Sequence, residues 1–352
     1  MIQIKVPARV CFFGDHQDYL GLPVIAGAID RYINLEAVPN SSGSFELNLL
    51  DINEVVSFSI NDDKIEIENG DFLRASLAVL KQKGLRFRQG YSIKIWGNIP
   101  VNAGLSSSSA LTIAWIRFLV AVQEKPLLVS DFEIGHWAYE VEVVYFNNPG
   151  GLMDQYTIAQ QDLIYIDTAT SKSEVLPGNL GQLVVAESGL KKQTMNVLKN
   201  GSVYQENAIK EVQQKNPNYT IQQSNLEDYE KYMHLVSKEY QNHWYAAIHN
   251  YELTKRARVL LTEPYSNRKA LAEVMNEHQK ILYERIQNTP EEMNIMMQAA
   301  LKAGALGAKT IGSGGGGCMV AMVDNTTKDA VIAAFKKAGA KDAYEVTLTK
   351  KK

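Results

Sequence analysis

The sequence predicts a soluble, two-domain α+β protein. Three observations lead there. A chain of 352 residues is longer than one ordinary domain and has ample apolar content for two cores. Its first half mixes strand and helix signals, whereas roughly residues 190–303 read as amphipathic helices broken near Pro217, Pro264 and Pro290. The remainder returns to strand, loop, strand, helix and strand. The expected division is 1–185 and 186–352.

Taken in order, Ile2–Phe13 and Tyr32–Val38 are strands by their apolar and β-branched content. Phe45–Leu50 and Val55–Ile60 extend that sheet beyond the turn at Asn40-Ser41-Ser42-Gly43. Asp71–Gln82 has helical periodicity and stops at Gly84; Tyr91–Ile99 alternates as a strand does. The apolar pattern of Leu111–Val122 is a helix whose N-terminus lies at the serines before it. Asp131 is placed to cap a further helix through Tyr145. Strands follow at Asp162–Asp167 and Gln182–Glu187. The end reads as strands at Ala308–Ile311 and Cys318–Val323, a helix at Lys328–Ala338, and a strand at Tyr344–Leu348.

Composition narrows the function. With 45% hydrophobic and 21% charged residues, a net charge of −3 and a pI near 6.1, the chain has no nucleic-acid or anionic-membrane signature. Cys11 and Cys318 form neither a disulfide framework nor a metal-ligand spacing, which fits a reducing compartment. No run reaches the ~18 apolar residues of a membrane span. MIQIKVPARV lacks a signal-peptide core, so a cytoplasmic location is expected.

Three segments could carry chemistry, besides a run of four glycines, Gly314–Gly317, that is either an anion cradle or a tight turn. In Gly104-Leu105-Ser106-Ser107-Ser108-Ser109-Ala110 a glycine-led loop runs into a helix N-terminus, whose N–H groups and dipole suit phosphate; an ordinary serine-rich cap reads the same way. The P-loop pattern Gly-x-x-x-x-Gly-Lys-Ser/Thr is absent. Arg9–Tyr19 leads a strand into polar residues suited to sugar hydroxyls or to a solvated turn. Glu140–Tyr156 offers Glu142 on a helix and Asp154 after a Pro-Gly-Gly turn, two carboxylates able to divide metal binding from hydroxyl orientation.

Together these segments resemble the GHMP kinases. PARVCFFGDHQDYLG looks like the galactokinase signature, PVNAGLSSSSA like the family's ATP loop, and LMDQYTIAQQDLIYID like the galactokinase Met-Asp-Gln segment. LAEVMNEHQKIL and ALGAKTIGSGGGGCMVAM match a family helix and the C-terminal glycine motif. The resemblance implies an N-terminal ribosomal protein S5 domain 2-like domain, a C-terminal ferredoxin-like domain, and an active site in the cleft between them. It implies ATP with Mg²⁺ as donor, ATP-binding residues Gly104, Leu105, Ser106, Ser107, Ser108, Ser109, Gly314 and Gly315, and metal ligands Ser108 and Glu142. Asp154 and Arg9 would be catalytic, and Asp15, His16, Asp18 and Tyr19 would bind a sugar, phosphorylated at its anomeric hydroxyl. In this family the glycine run is a tight turn beside the site, so side chains at Gly315 or Gly316 would crowd it.

The departures bear on substrate. Galactokinases usually carry Glu at Asp15, Thr at Gln17, and Asn-Gly-Gly where this chain has Leu20-Gly21-Leu22. Galactose, another hexose, a hexosamine, a uronic acid and a heptose all stay open. A mevalonate-type kinase is the alternative enzyme, and a catalytically silent sugar sensor the alternative of another class. The segment Glu187–Thr194 is expected on the substrate side of the cleft.

Overall fold

Two β-sheets organise the chain. The structure, a computed structural model, describes residues 1–61, 66–101, 103–148, 150–191 and 194–351. In the first sheet β1 (Ile2–Phe13) runs antiparallel to the long β2 (Val24–Asn40), with register shifts at Pro7/Ala8 and between Cys11 and Phe13. Proline has no N–H for the ladder, so an irregular register at Pro7 accommodates it. β3 (Ser44–Leu49) and β4 (Glu54–Ser59) form a hairpin. After α1 (Phe72–Gln82), β5 (Gly90–Gly97) inserts between β3, its parallel neighbour, and β2.

α2 (Ser107–Val122) lays Trp115 and Phe118 against Phe45, forming the aromatic centre of this layer. α3 (Asp131–Tyr139) is capped by Ser130 in a reciprocal box with Glu133, one residue before the expected cap. Asp131 instead pairs with Arg117 at 2.6 Å. α3 continues into one π-helical turn, Glu140–Val144. α4 (Met153–Gln160), β6 (Leu163–Asp167) and β7 (Lys172–Val175) complete the layer, β6 pairing with the start of β2. α4, β7 and the part of β2 before Tyr32 are additions to the expected elements.

The second half begins with β8 (Gln182–Glu187) and five helices: α5 (Thr194–Lys215), α6 (Leu226–Tyr232), α7 (Gln241–Thr262), α8 (Arg268–Ile281) and α9 (Glu291–Lys302). β9 (Gly307–Thr310), β10 (Cys318–Val323), α10 (Lys328–Lys337) and β11 (Asp342–Val346) follow. The antiparallel order is β11-β8-β10-β9. Alternation along β8 sets its two faces. Val184 and Ala186 pack with the methionines of α9 and with Val331 and Phe335 of α10, while Leu183 and Val185 join the core shared with the first sheet. The two-domain α+β class is as expected. The expected boundary after residue 185 falls inside β8, which pairs along its length with β10 and β11.

A third apolar cluster gathers α5 and α7 around Trp244 and receives Leu20 and Leu22 from the β1–β2 connection. The helices of the second half therefore clamp the loop in which the sugar-binding residues were expected. Among the described residues, no helix is long and apolar enough to cross a membrane.

Candidate active site

Arg9 sits on β1 among apolar neighbours and is buried, so its charge requires partners. Its Nε and Nη2 donate to Asp154 Oδ1 and Oδ2, each at 2.7 Å, and its Nη1 donates to the Gly104 carbonyl at 2.7 Å. The planar fork thus fixes the carboxylate plane and the phosphate-loop candidate together. Burial opposes the guanidinium charge, but Asp154 outweighs it and holds the Arg9 pKa above its ordinary value. Asp154 lies in the first turn of α4, a more rigid support than the turn the sequence suggested.

The serine segment wraps around this pair. Gly104 has φ +88°, and its carbonyl could not face Arg9 so readily with a side chain present. Leu105 is fully buried in the core, so only its backbone faces the loop. Ser106 donates its hydroxyl to Asp154 Oδ2. Gly104, Ser106, Ser107 and Ser108 line a cleft of about 610 Å³ together with Arg9, Asp154, Lys191, Lys341 and Gly317. Of Glu187–Thr194, Glu187, Gly189, Leu190 and Lys191 line the same cleft as the serine loop; Lys192 and Gln193 are outside the described residues, as are Asn102 and Pro149.

Glu142 falls in the π-helical turn after α3, a local irregularity of the kind that re-aims side chains at functional sites. It is buried, and its Oε2 accepts from the Ser109 hydroxyl at 2.7 Å and from Gln155 Nε2 at 2.5 Å. Oε1 is buried with no hydrogen-bond partner. Burial pushes this carboxyl up, against the stabilising side chains of Thr112, Gln155 and Ser109 around it; the Thr112 hydroxyl itself donates to the Ser108 carbonyl at 3.2 Å. The serine that touches Glu142 is therefore Ser109, while the expected Ser108 is exposed and lines the cleft. The helical spacing explains it, since consecutive residues of α2 point about 100° apart.

The expected substrate loop departs most from its reading. Asp15 is buried, with Oδ2 bound to Lys309 Nζ at 2.7 Å and Oδ1 accepting from the Gly312 N–H at 2.9 Å. Burial alone would raise its carboxyl; Lys309 reverses the sign and holds it below the usual value. Asp15 thus joins the two halves of the chain. His16 and Tyr19 are also engaged internally: Gln205 donates to the Tyr19 hydroxyl at 2.7 Å, that hydroxyl lies 3.2 Å from His16 Nδ1, and His16 Nε2 lies 2.9 Å from the Ser313 carbonyl. Donation along this chain requires the Nε2–H tautomer of His16. Asp18 instead feels the charge of Asp154. Its carboxylate presses on Gly151, where a Cβ would sit 2.0 Å from Oδ2, and burial with the nearby Asp154 charge raises it to about 6.

The glycine run is a turn closing β9 onto β10, with the Ile311 N–H donating to the Cys318 carbonyl at 3.0 Å. All four glycines have positive φ. A Cβ on Gly314 would stand 2.4 Å from the Asn288 carbonyl oxygen, one on Gly316 2.8 Å from that of Lys191, and one on Gly317 2.7 Å from that of Ala103. Gly317 is the glycine at the cleft. Gly314 packs on Asn288, and the Gly315 N–H donates to the Asn288 carbonyl, so those two face a different neighbour from the one expected.

Sequence reasoning missed Lys309, Asn288, Gln205 and Gln155. Only Lys309 left a signal, a cation inside the apolar GAKTIG strand, which has to find an anion once buried.

Comparison with known proteins gives the family. Residues 71–161 match the GHMP kinases N terminal domain, and residues 257–341 the GHMP kinases C terminal. A galactokinase of Thermococcus kodakarensis is 28% identical over 339 residues, covering 92% of this chain and 90% of that protein. The structure of Lactococcus lactis galactokinase complexed with galactose superimposes with a TM-score of 0.87 at 22% identity, covering 99% of this chain and 93% of that one. Methanococcus jannaschii mevalonate kinase gives 0.75 at 18% identity, covering 99% and 98%. With both domain families matched in order along one chain, the protein belongs to the GHMP kinases, a family of ATP-dependent small-molecule kinases.

Proposed function

We propose that this GHMP kinase is galactokinase-like in activity and phosphorylates the anomeric hydroxyl of a sugar. The observation that carries the reading is the bidentate Arg9–Asp154 pair at the edge of the serine-lined cleft. Phosphoryl transfer asks little covalent chemistry of a protein and much positioning and charge neutralisation. Asp154 orients the acceptor hydroxyl and receives its proton, while Arg9 holds the carboxylate plane and offsets the alkoxide charge that develops. The backbone of Gly104–Ser108, with Lys191 and Lys341 of the same cleft, accommodates the phosphates.

Glu142 fits a divalent cation. Its buried, unpartnered Oε1 lacks the donor or cation that a buried carboxylate oxygen normally has. Glu142 with Ser108 would hold the ion, and Ser109 and Gln155 orient the carboxylate. Mg²⁺ characteristically uses one or two protein oxygens together with phosphate and water, and when bound it would neutralise phosphate charge. Among the described residues no cluster of three acidic, histidine or cysteine side chains forms a metal cage.

Substrate discrimination falls to Asp18 more than to Asp15. A mevalonate-type substrate, an acyclic carboxylate, would want a cation beside the β1–β2 loop, and Lys309 there is spent on Asp15. The test is ADP release, measured by a coupled assay, with galactose, glucose, a hexosamine, a uronic acid, a heptose and mevalonate as acceptors, followed by phosphorus NMR of the product. Turnover of one sugar with phosphate on the anomeric oxygen is expected. Turnover of mevalonate alone would overturn the reading, as would sugar binding without any ATP dependence.

A further inference from the structure

Ser106 is in the left-handed region, with φ 57° and ψ 49°, which residues other than glycine and asparagine seldom occupy. It is also the N-cap of α2, where a serine side chain ordinarily accepts from a first-turn N–H; here it makes no such bond. One residue thus carries two local costs, backbone strain and a missing cap. Local strain at a site is retained where the surrounding structure uses it. What Ser106 has in exchange is its hydroxyl on Asp154 Oδ2.

We infer that Ser106 is a positioning residue for phosphoryl transfer, tying the phosphate loop to the carboxylate of Asp154 rather than binding ATP through its side chain. The inference rests on the catalytic reading of Asp154. Arg9 reaches the same assembly from β1, donating to both Asp154 oxygens and to the Gly104 carbonyl, so loop and carboxylate are held from two sides. The Ser106 bond adds the direct link between the segment that faces the phosphates and the group that faces the acceptor. Turning the side chain to Asp154 also leaves the first turn of α2 without a side-chain cap, and Ser107 and Ser108 of that turn line the cleft.

The deciding experiment is Ser106→Gly in the full-length protein, because glycine suits the left-handed backbone and removes only the hydroxyl and the strain. Steady-state kinetics use whichever acceptor in the panel above gives the fastest ADP release, with thermal denaturation alongside. We expect Tm unchanged or raised, KM for ATP within about twofold, and kcat reduced about 10- to 100-fold, the scale of losing about an ångström of alignment. A raised KM for ATP with kcat kept would make Ser106 a nucleotide ligand and overturn the inference. Wild-type kinetics would overturn it too. Asp154→Asn, run in parallel, separates the two readings. If Asp154→Asn retains turnover, the catalytic reading itself fails; if it is inactive and Ser106→Gly is not impaired, only the role of Ser106 fails.

Discussion

Replacing Lys309 by methionine asks whether the β1–β2 loop is built around substrate or around the joint between the two halves. The side chains of Lys309 and Asp15 are 0% and 1% exposed, so the pair is out of water altogether. Nζ donates to Asp15 Oδ2 at 2.7 Å and to the carbonyls of Cys11 at 3.1 Å and Thr310 at 2.5 Å. Methionine keeps most of the stem's volume but leaves Asp15 buried with the Gly312 N–H on Oδ1 and no cation. Breaking a buried pair from one side costs about 3–5 kcal/mol, chiefly the desolvation of the charge left behind. Against a total stability of about 5–15 kcal/mol that is a large loss.

Removing both charges, Asp15→Leu with Lys309→Met, leaves no orphan and should cost less than either single change. Urea denaturation of the two singles and the double at pH 7 reads this directly, with KM for the acceptor measured on each. The pH dependence has a definite sign. Asp15 has its pKa lowered in the folded protein, so the contribution of the pair is present above the ordinary value of ~3.9 and is lost as pH falls below it. In Lys309→Met the defect should shrink toward acid, because a neutral Asp15 no longer needs the cation. If Lys309→Met left the denaturation midpoint unchanged, or if Asp15→Asn raised the sugar KM without loss of stability, Asp15 would be a substrate ligand and the reasoning wrong.

The other predictions concern the reacting side. Glu142→Gln keeps a similar shape but removes the charge, and should raise the Mg²⁺ concentration for half-maximal turnover by about 10-fold or more; an unchanged Mg²⁺ titration would exclude Glu142. With the Asp18 carboxyl raised to about 6, kcat/KM for the sugar should fall on the acid side of pH 6 and that limb should vanish in Asp18→Asn. The raised value also means that the charged form strains the fold above pH 6, so Asp18→Asn should be more stable than wild type at pH 7, with the difference closing toward pH 4. A pH profile flat across pH 5–7 would contradict both statements. Gly317→Ala places a Cβ 2.7 Å from the Ala103 carbonyl oxygen at φ +88°, and should cost about 1–3 kcal/mol by thermal denaturation while raising KM for ATP more than KM for the sugar. Equal effects on both KM values would argue against Gly317 acting through the loop at Ala103.

Much of the framework was legible because its signals are local. Strand alternation, the helix after the serines and the strand–turn–strand at the glycine run each follow from patterns within about ten residues. The elements that escaped are those whose pattern is masked by context. β2 begins in an apolar, glycine-containing run whose residues Ile25–Gly27 are paired on both sides and so show no alternation. α4 is short and buries all but two of its residues, leaving little amphipathic contrast. Ser130 took the cap from Asp131 because Asp131 is occupied by Arg117, a partner fourteen positions away in sequence.

By itself the sequence determined the family and singled out Arg9, the serine loop, Glu142, Asp154 and the glycine run as its candidate site, since each is read from a short motif. Only the tertiary structure decided which member of each motif faces which neighbour. It turned Asp15 inward onto Lys309, set Ser109 rather than Ser108 against Glu142, and bent Ser106 onto Asp154. The physical reason is the same in each case. A buried polar group must be satisfied by whatever donor or acceptor the fold brings within about 3 Å, and those partners come from 33 to 294 residues away.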